Sequence, residues 1–237
     1  MKQDSQILSN NCDEIPEGLP SGAVFILGAG RFGGRAARLL AGRGVDPLYV
    51  VDPDPEQLVL LEDLNIKRIR TDAIRFLVEH EERLLPEHIL VPALPHHLAF
   101  EWLTARPGSN VRLEKIPPPE ALREVLPHTW EGSEGSLLVS YADFLCPEDC
   151  PEPERCTVTG EKREWPLYEL LGRVAVEGFR THVIRSRQLA PGLGGYKFKD
   201  LQGAAKRVMA DGSTPWLLCT ACKCHGVITA FKTHRLS

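Results

Sequence analysis

The chain has 237 residues, with 28 Lys and Arg against 32 Asp and Glu and a formal net charge of −4. That balance argues against nucleic acid as the main partner, because phosphate backbones are bound by basic surfaces. Hydrophobic and charged fractions of 43% and 25% are those of an ordinary globular protein. No apolar run reaches the roughly 18 residues that a membrane-inserted helix needs.

Residues 1–21 are polar and carry acids. They lack the apolar stretch of a secretory leader, which predicts a flexible tail on a cytoplasmic protein. An apolar strand, Val24-Phe-Ile-Leu27, then runs into Gly28-Ala29-Gly30-Arg31-Phe32-Gly33 and at once into a helix through Leu40. A second apolar run, Leu48-Tyr-Val-Val51, ends in Asp52, 19 residues beyond Gly33. Glycines spaced G-x-G-x-x-G between strand and helix, with an acid closing the next strand, form a dinucleotide-binding fingerprint. Gly28 permits the tight turn, Gly30 lets a pyrophosphate approach the backbone, and Gly33 lets the helix pack closely on the sheet. The N–H groups and dipole of that helix receive the phosphate charge. Asp52 is placed to accept from both ribose hydroxyls and to repel a 2′-phosphate, which predicts NAD(H) over NADP(H). Arg31 adds a cation within reach of a phosphate.

The alternation continues. Residues 55–64 read as a helix with proline in its first turn, 66–70 as a strand, and 73–85 as a helix. A strand over 88–94, a helix over 98–103 and a fifth strand over 111–116 follow. The pattern predicts an α/β fold with a doubly wound parallel Rossmann sheet over 22–126. Pro117-Pro-Pro119 and the segment Trp130–Ser136 mark a boundary. Residues 127–237 then read as a smaller, mixed α/β, cysteine-rich domain. Its predicted parts are a strand from 136 to 144, a helix over 167–176 and a strand over 182–189. A glycine loop, Pro191–Tyr196, a helix over 201–210 and two apolar segments, 216–219 and 226–231, complete it.

Six of the seven cysteines fall in two groups, Cys146, Cys150, Cys156 and Cys219, Cys222, Cys224, with Cys12 alone in the tail. In a cytoplasmic protein such clusters read as thiols or metal ligands rather than disulfides. Converging thiolates suit a soft metal, and prolines limit the backbone freedom lost on binding. The pairs Cys146-Pro147 and Cys150-Pro151 favour an iron–sulfur cluster. His225 beside Cys224 favours zinc. Redox-active thiols and incidental structural cysteines, with Cys219 as a core residue of its strand, are the alternatives. Candidate catalytic groups are restricted to His96 and His97, which follow a strand end facing the ligand crevice. Arg185 and Arg187 read as one face of a strand, suited to an anionic substrate or to solvent. The glycine loop reads as a lid or a plain turn, and Trp130, Trp165 and Trp216 as packing residues.

The first half resembles the N-terminal domain of the regulator-of-potassium-conductance (RCK, TrkA N-terminal) family. The resemblance rests on Gly28-Ala29-Gly30-Arg31-Phe32-Gly33, on Asp52 with Pro53 and Asp54, and on Thr71-Asp72-Ala73. It implies NAD(H) binding, with Asp72 and Ala73 beside the adenine where the family carries Gly-Asp-Ala. Precorrin-2 dehydrogenase and similar small NAD enzymes share the glycine fingerprint. Two functions are therefore expected. One is an NAD(H)-binding oxidoreductase with a cysteine-held metal or iron–sulfur site. The other is a non-catalytic NAD(H) or redox sensor, acting as a homodimer or through a regulatory partner protein.

Overall fold

The computed structural model describes residues 18–107, 111–210 and 214–235. Most of the predicted tail, together with Cys12, lies outside the described residues. The elements in chain order are β1 (Val24–Leu27), α1 (Arg31–Ala41), β2 (Leu48–Val51), α2 (Pro55–Val59), β3 (Lys67–Ile69), α3 (Ala73–Glu79), β4 (Ile89–Pro92) and α4 (Leu98–Ala105). Then come β5 (Val111–Ile116), α5 (Ala121–Val125), β6 (His128–Glu131), β7 (Leu137–Ser140), α6 (Leu167–Arg173), β8 (Arg180–Arg185), β9 (Arg187–Ala190) and β10 (Leu193–Lys197). The chain closes with α7 (Phe198–Ala210), β11 (Trp216–Ala221) and β12 (His225–Arg235).

Two mixed sheets form. The first runs β3-β2-β1-β4-β10-β9. Its first four strands are parallel, while β10 is antiparallel to β4 and β9 antiparallel to β10. β1 (VFIL) and β2 (LYVV) are buried along their whole length. Strands covered by helices on both faces need such continuous apolar sequence. The second sheet runs β6-β7-β12-β11-β8, and β5 pairs with the far half of β12.

Both sheets share one layer of helices. Ala36, Ala37 and Leu40 of α1 pack on Ile26 and Val50, covering one face of the first sheet. The opposite face, with Phe25, Leu27, Tyr49 and Leu90, packs on α3, α4 and α7. Trp216, Leu218 and Phe231 of the second sheet close the same core from the other side. The far face of the second sheet, with Leu217, Ile228 and Ala230, packs on Leu122 of α5 and on Leu167 and Leu171 of α6.

The predicted fifth Rossmann strand, 111–116, is thus an antiparallel member of the second sheet, with Val111 opposite Arg235 and Ile116 opposite Ala230. Its sequence VRLEKI alternates, and Arg112 and Glu114 are exposed. Alternation marks a strand with one wet face, unlike the unbroken apolar runs of β1 and β2. The predicted strand 182–189 breaks at Ser186, so Arg185 and Arg187 stand in different sheets rather than on one face. The predicted glycine loop is largely strand β10. A Cβ on Gly195 would lie 2.8 Å from the Leu90 carbonyl oxygen, so glycine lets β10 sit tightly beside β4.

Candidate functional site

The three glycines of the fingerprint meet three different surroundings. Gly28 has φ +105°, and a Cβ there would stand 2.6 Å from the Ala93 carbonyl oxygen. A Cβ on Gly33 would lie 1.8 Å from the Gly28 carbonyl oxygen, so glycine lets α1 sit tightly against the turn that follows β1. Around Gly30 a Cβ would meet nothing within 4 Å. Two glycines are therefore demanded by the protein itself, and the third leaves an open cradle. No side chain caps α1 at Gly30, and no acid lies in its first turn. The first-turn N–H groups, which no helix satisfies internally, face that cradle.

Asp52, half-buried, is held by the loop it serves. One carboxylate oxygen accepts from Ala29 N–H at 2.6 Å and the other from Asp54 N–H at 2.8 Å. A carboxylate has about four lone-pair sites, so two remain for ribose hydroxyls. Pro53 is exposed just beyond it. Asp72 caps α3 by accepting from Arg75 N–H at 2.9 Å, and Ala73 is buried beneath. Both lie just past the carboxyl end of β3, two strands from the glycine turn. Beside the turn, a groove of about 670 Å³ is lined by Gly30, Arg31, Phe32, Arg35, Arg38 and Glu148.

The cysteines converge from two distant segments. Cys146, Cys150 and Cys156 come from the long connection between β7 and α6, and Cys222 and Cys224 from the turn between β11 and β12. Cys146, Cys150, Cys156 and Cys224 surround one cavity of about 150 Å³. Cys146 Sγ lies 3.5 Å from His225 Nε2, and Cys222 Sγ lies 3.9 Å from His225 Nδ1. Glu152, Cys224 and His225 bring one donor atom each within 4.8 Å of one another.

Backbone N–H groups of the turns point at two of the sulfurs. Cys222 Sγ accepts from the backbone N–H of Cys224 at 3.4 Å and of His225 at 3.3 Å. N–H groups of Thr159 and Val158 likewise serve Cys156 and draw its thiol below the usual range. Burial pushes the Cys222 and Cys224 thiols up to about 12, with the negative charge of Glu152 adding to the effect at both. Cys146 is raised first by burial and then by the neighbouring Cys150 and Cys156. Mutual repulsion of this kind is what a bound cation relieves, and the sulfur-rich donor set suits zinc or iron. Arg163 donates to the Pro153 carbonyl at 2.6 Å and holds the loop, while its charge favours the thiolates of Cys146 and Cys156.

Other sequence candidates stand apart from this centre. Cys219 is 1% exposed in the core between the second sheet and α6, paired with Ile228, and burial drives its thiol well above the usual range. Odd and even residues of a strand point to opposite faces, so Cys219 on β11 is a packing residue while Cys222 has left the strand. His96 is half-buried. His97 is buried between two hydroxyls, Thr229 Oγ1 at 2.8 Å from Nδ1 and Thr220 Oγ1 at 2.9 Å from Nε2. Burial lowers its pKa to about 3, so it is neutral and acts as a clamp between the N-terminus of α4 and the second sheet. Arg185 stacks on Tyr168 at 4.1 Å, and Arg187 pairs with Asp200 at 3.0 Å. Trp216 is buried, Trp165 carries Arg173 over its ring at 3.7 Å, and Trp130 is 43% exposed.

The His97 clamp gives a pH prediction. Its folded pKa lies below the unfolded value of about 6.5, so the stability it supports is complete above that pH and is lost as pH falls toward 3. Between pH 7 and pH 5 the wild type is expected to lose about 2 kcal/mol more than His97→Gln. Urea unfolding of both proteins at the two pH values measures this.

One contact had no signal in the sequence. Arg31, inside the fingerprint, lies 2.6 Å from the carboxylate of Glu148, which sits between Cys146 and Cys150. The residues are 117 positions apart and exposed, and ordinary arginines and glutamates at such places carry no pattern.

A glycine turn at the switch point of the parallel strands of the first sheet, beside cysteine thiols on loops of the second half, defines a Rossmann-type chain joined to a second α/β unit. Residues 24–83 match the TrkA-N domain, a Rossmann-like NAD-binding domain. Residues 99–234, more than half of the chain, match AF_1314_C, described as "Uncharacterized protein, C-terminal domain". The chain belongs to that family. It is also 33% identical over 224 residues to an "Uncharacterized protein" of Archaeoglobus fulgidus, covering 87% of this chain and 98% of the relative. No solved structure matches. Among the described residues, no helix is long and apolar enough to cross a membrane.

Proposed function

We propose that the protein is an NAD(H)-binding redox regulator whose cysteine cluster holds a metal centre. The observation that carries the reading is convergence: four thiols from segments some 70 residues apart line one cavity, on the same chain as an open dinucleotide cradle. Ala29 to Gly33 and the N-terminus of α1 would take the diphosphate, and Asp52 the adenosine ribose. Asp72 and Ala73 would lie toward the adenine. Cys146, Cys150, Cys156 and Cys224 would ligate the metal, with Cys222, His225 and Glu152 at its rim. A bound metal supplies charge neutralisation for the thiolates and, if it is iron, one-electron chemistry.

A sensing role is favoured over hydride transfer with side-chain acid–base help. His97, one of the two histidine candidates, is buried with both ring nitrogens engaged and is neutral. The oxidoreductase reading draws on one observation of its own, the cavity of about 150 Å³ among four cysteines, which offers more room than a single ion needs. Metal content and the visible spectrum of protein purified without added metal separate the two. A brown protein containing iron and labile sulfide supports electron transfer, and one zinc per chain in a colourless protein supports the sensor. Absence of any metal, with every thiol open to modification, would sink the metal centre.

The cofactor assignment has its own test. NADH is expected to bind at least about tenfold more tightly than NADPH, because a 2′-phosphate would face the Asp52 carboxylate. Asp52→Asn should lose most of that preference. Titration by ligand fluorescence reads both, and an equal preference in wild type and variant would remove Asp52 from its role.

A further inference from the structure

The cysteine segment and the glycine loop meet at a joint that neither needs for its own chemistry. The Glu148 carboxylate lies 2.6 Å from Arg31 Nη2 and 3.7 Å from Arg35 Nε. The Glu148 carbonyl accepts from Arg35 Nη2 at 2.6 Å. Beneath this turn, the Cys150 carbonyl accepts from Gly192 N–H at 2.8 Å and from Gln188 Nε2 at 2.9 Å. Gly192 has φ +68°, and a Cβ there would stand 1.6 Å from the Glu148 carbonyl oxygen. The turn from Cys146 to Cys150 is therefore seated on the β9–β10 bend, with its acid against the first residue of α1.

We propose that Glu148 is a positioning residue that couples the two sites negatively: its carboxylate and the ligand diphosphate compete for Arg31. The proposal rests on the reading above, in which both NAD(H) and a metal bind. Two anions at one guanidinium and one helix N-terminus repel each other, so a diphosphate in the cradle favours release of Glu148. Release requires the turn to move. A metal ligated by Cys146 and Cys150, on either side of Glu148, fixes the turn and keeps the carboxylate in place. Metal loading therefore weakens NAD(H) binding, and by linkage NAD(H) weakens metal holding by the same factor. Exposed ion pairs contribute little to stability, so the effect is read in binding rather than in unfolding.

The experiment uses the full chain with NADH and zinc as probes. The dissociation constant of NADH is measured on zinc-loaded and chelator-stripped protein, for wild type and Glu148→Gln. Zinc is expected to weaken NADH binding about fivefold in the wild type and less than twofold in the variant, at the lower end of known couplings. A chelating dye should show NADH weakening zinc binding by the same factor in the wild type. Equal zinc stoichiometry in the two proteins shows that the centre of the variant is intact. An equal shift in both proteins, no shift, or tighter NADH binding on zinc loading overturns the coupling while leaving both sites standing. Failure of the wild type to bind NADH alone, or zinc alone, overturns the functional reading and the coupling with it.

Discussion

Gly33→Ala is expected to cost about 3 kcal/mol or more of stability, because a methyl group 1.8 Å from the Gly28 carbonyl oxygen cannot be accommodated without moving α1. The obstacle is backbone, which has no rotamer to adopt, and Ala36, Ala37 and Leu40 on the same helix are already packed against β1 and β2. For a chain of this size that loss lowers the melting temperature by about 6–12 °C. Gly30→Ala gives the opposite result. Its φ of −60° suits alanine, and its Cβ would enter open space. Stability should stay within about 0.5 kcal/mol of wild type, the range of neutral surface changes. NADH affinity should fall by about tenfold or more, since the methyl group would occupy the approach of the diphosphate. Thermal unfolding and NADH titration on both variants check the pair. An intact NADH affinity in Gly30→Ala would mean that the cradle is only a turn.

Cys224→Ser and Cys156→Ser are each expected to weaken zinc binding by more than about 100-fold, beyond the 10–100-fold typical of residues that only support a ligand. They come from different segments, so two independent substitutions test one convergence. Cys219→Ser separates ligation from packing. It should keep full metal stoichiometry and lose about 1–3 kcal/mol of stability, because a hydroxyl replaces a thiol that is 1% exposed among apolar side chains. Metal binding should strengthen as pH rises, since burial holds Cys222 and Cys224 protonated without a cation and each ligating thiol must release its proton. Metal analysis after dialysis, with unfolding curves in urea, distinguishes these outcomes. Retention of metal by both Cys224→Ser and Cys156→Ser would place the ligands elsewhere.

The dinucleotide half was legible because its signals are local. Gly28, Gly30 and Gly33 act within one turn, and Asp52 follows its strand directly. The continuous apolar runs of β1 and β2 also announce parallel strands covered on both faces. The same reasoning misplaced residues 111–116, since a strand following a helix reads as the next parallel strand unless its alternation is weighed. It also joined β8 and β9, because Ser186 carries no turn signal strong enough to mark a passage between sheets. In the second half, the cysteine spacings singled out five residues that the fold brings near one another, Cys146, Cys150, Cys156, Cys222 and Cys224. They left Cys219 open between ligand and core residue of its strand, and its burial in the core decides for the second.

By itself, then, the sequence determined the Rossmann-type, NAD-binding character of the first half and the two cysteine groups of the second. Both depend on residue types within a few positions of each other. Tertiary structure alone decided where those thiols meet and that β10 and β9 complete the first sheet. It also settled the open alternative for Cys219 in favour of the core and set Glu148 against Arg31. These are contacts between segments far apart in the chain, set by which apolar faces must be buried together. Charged and glycine residues at such meeting points look ordinary until the cores have placed them.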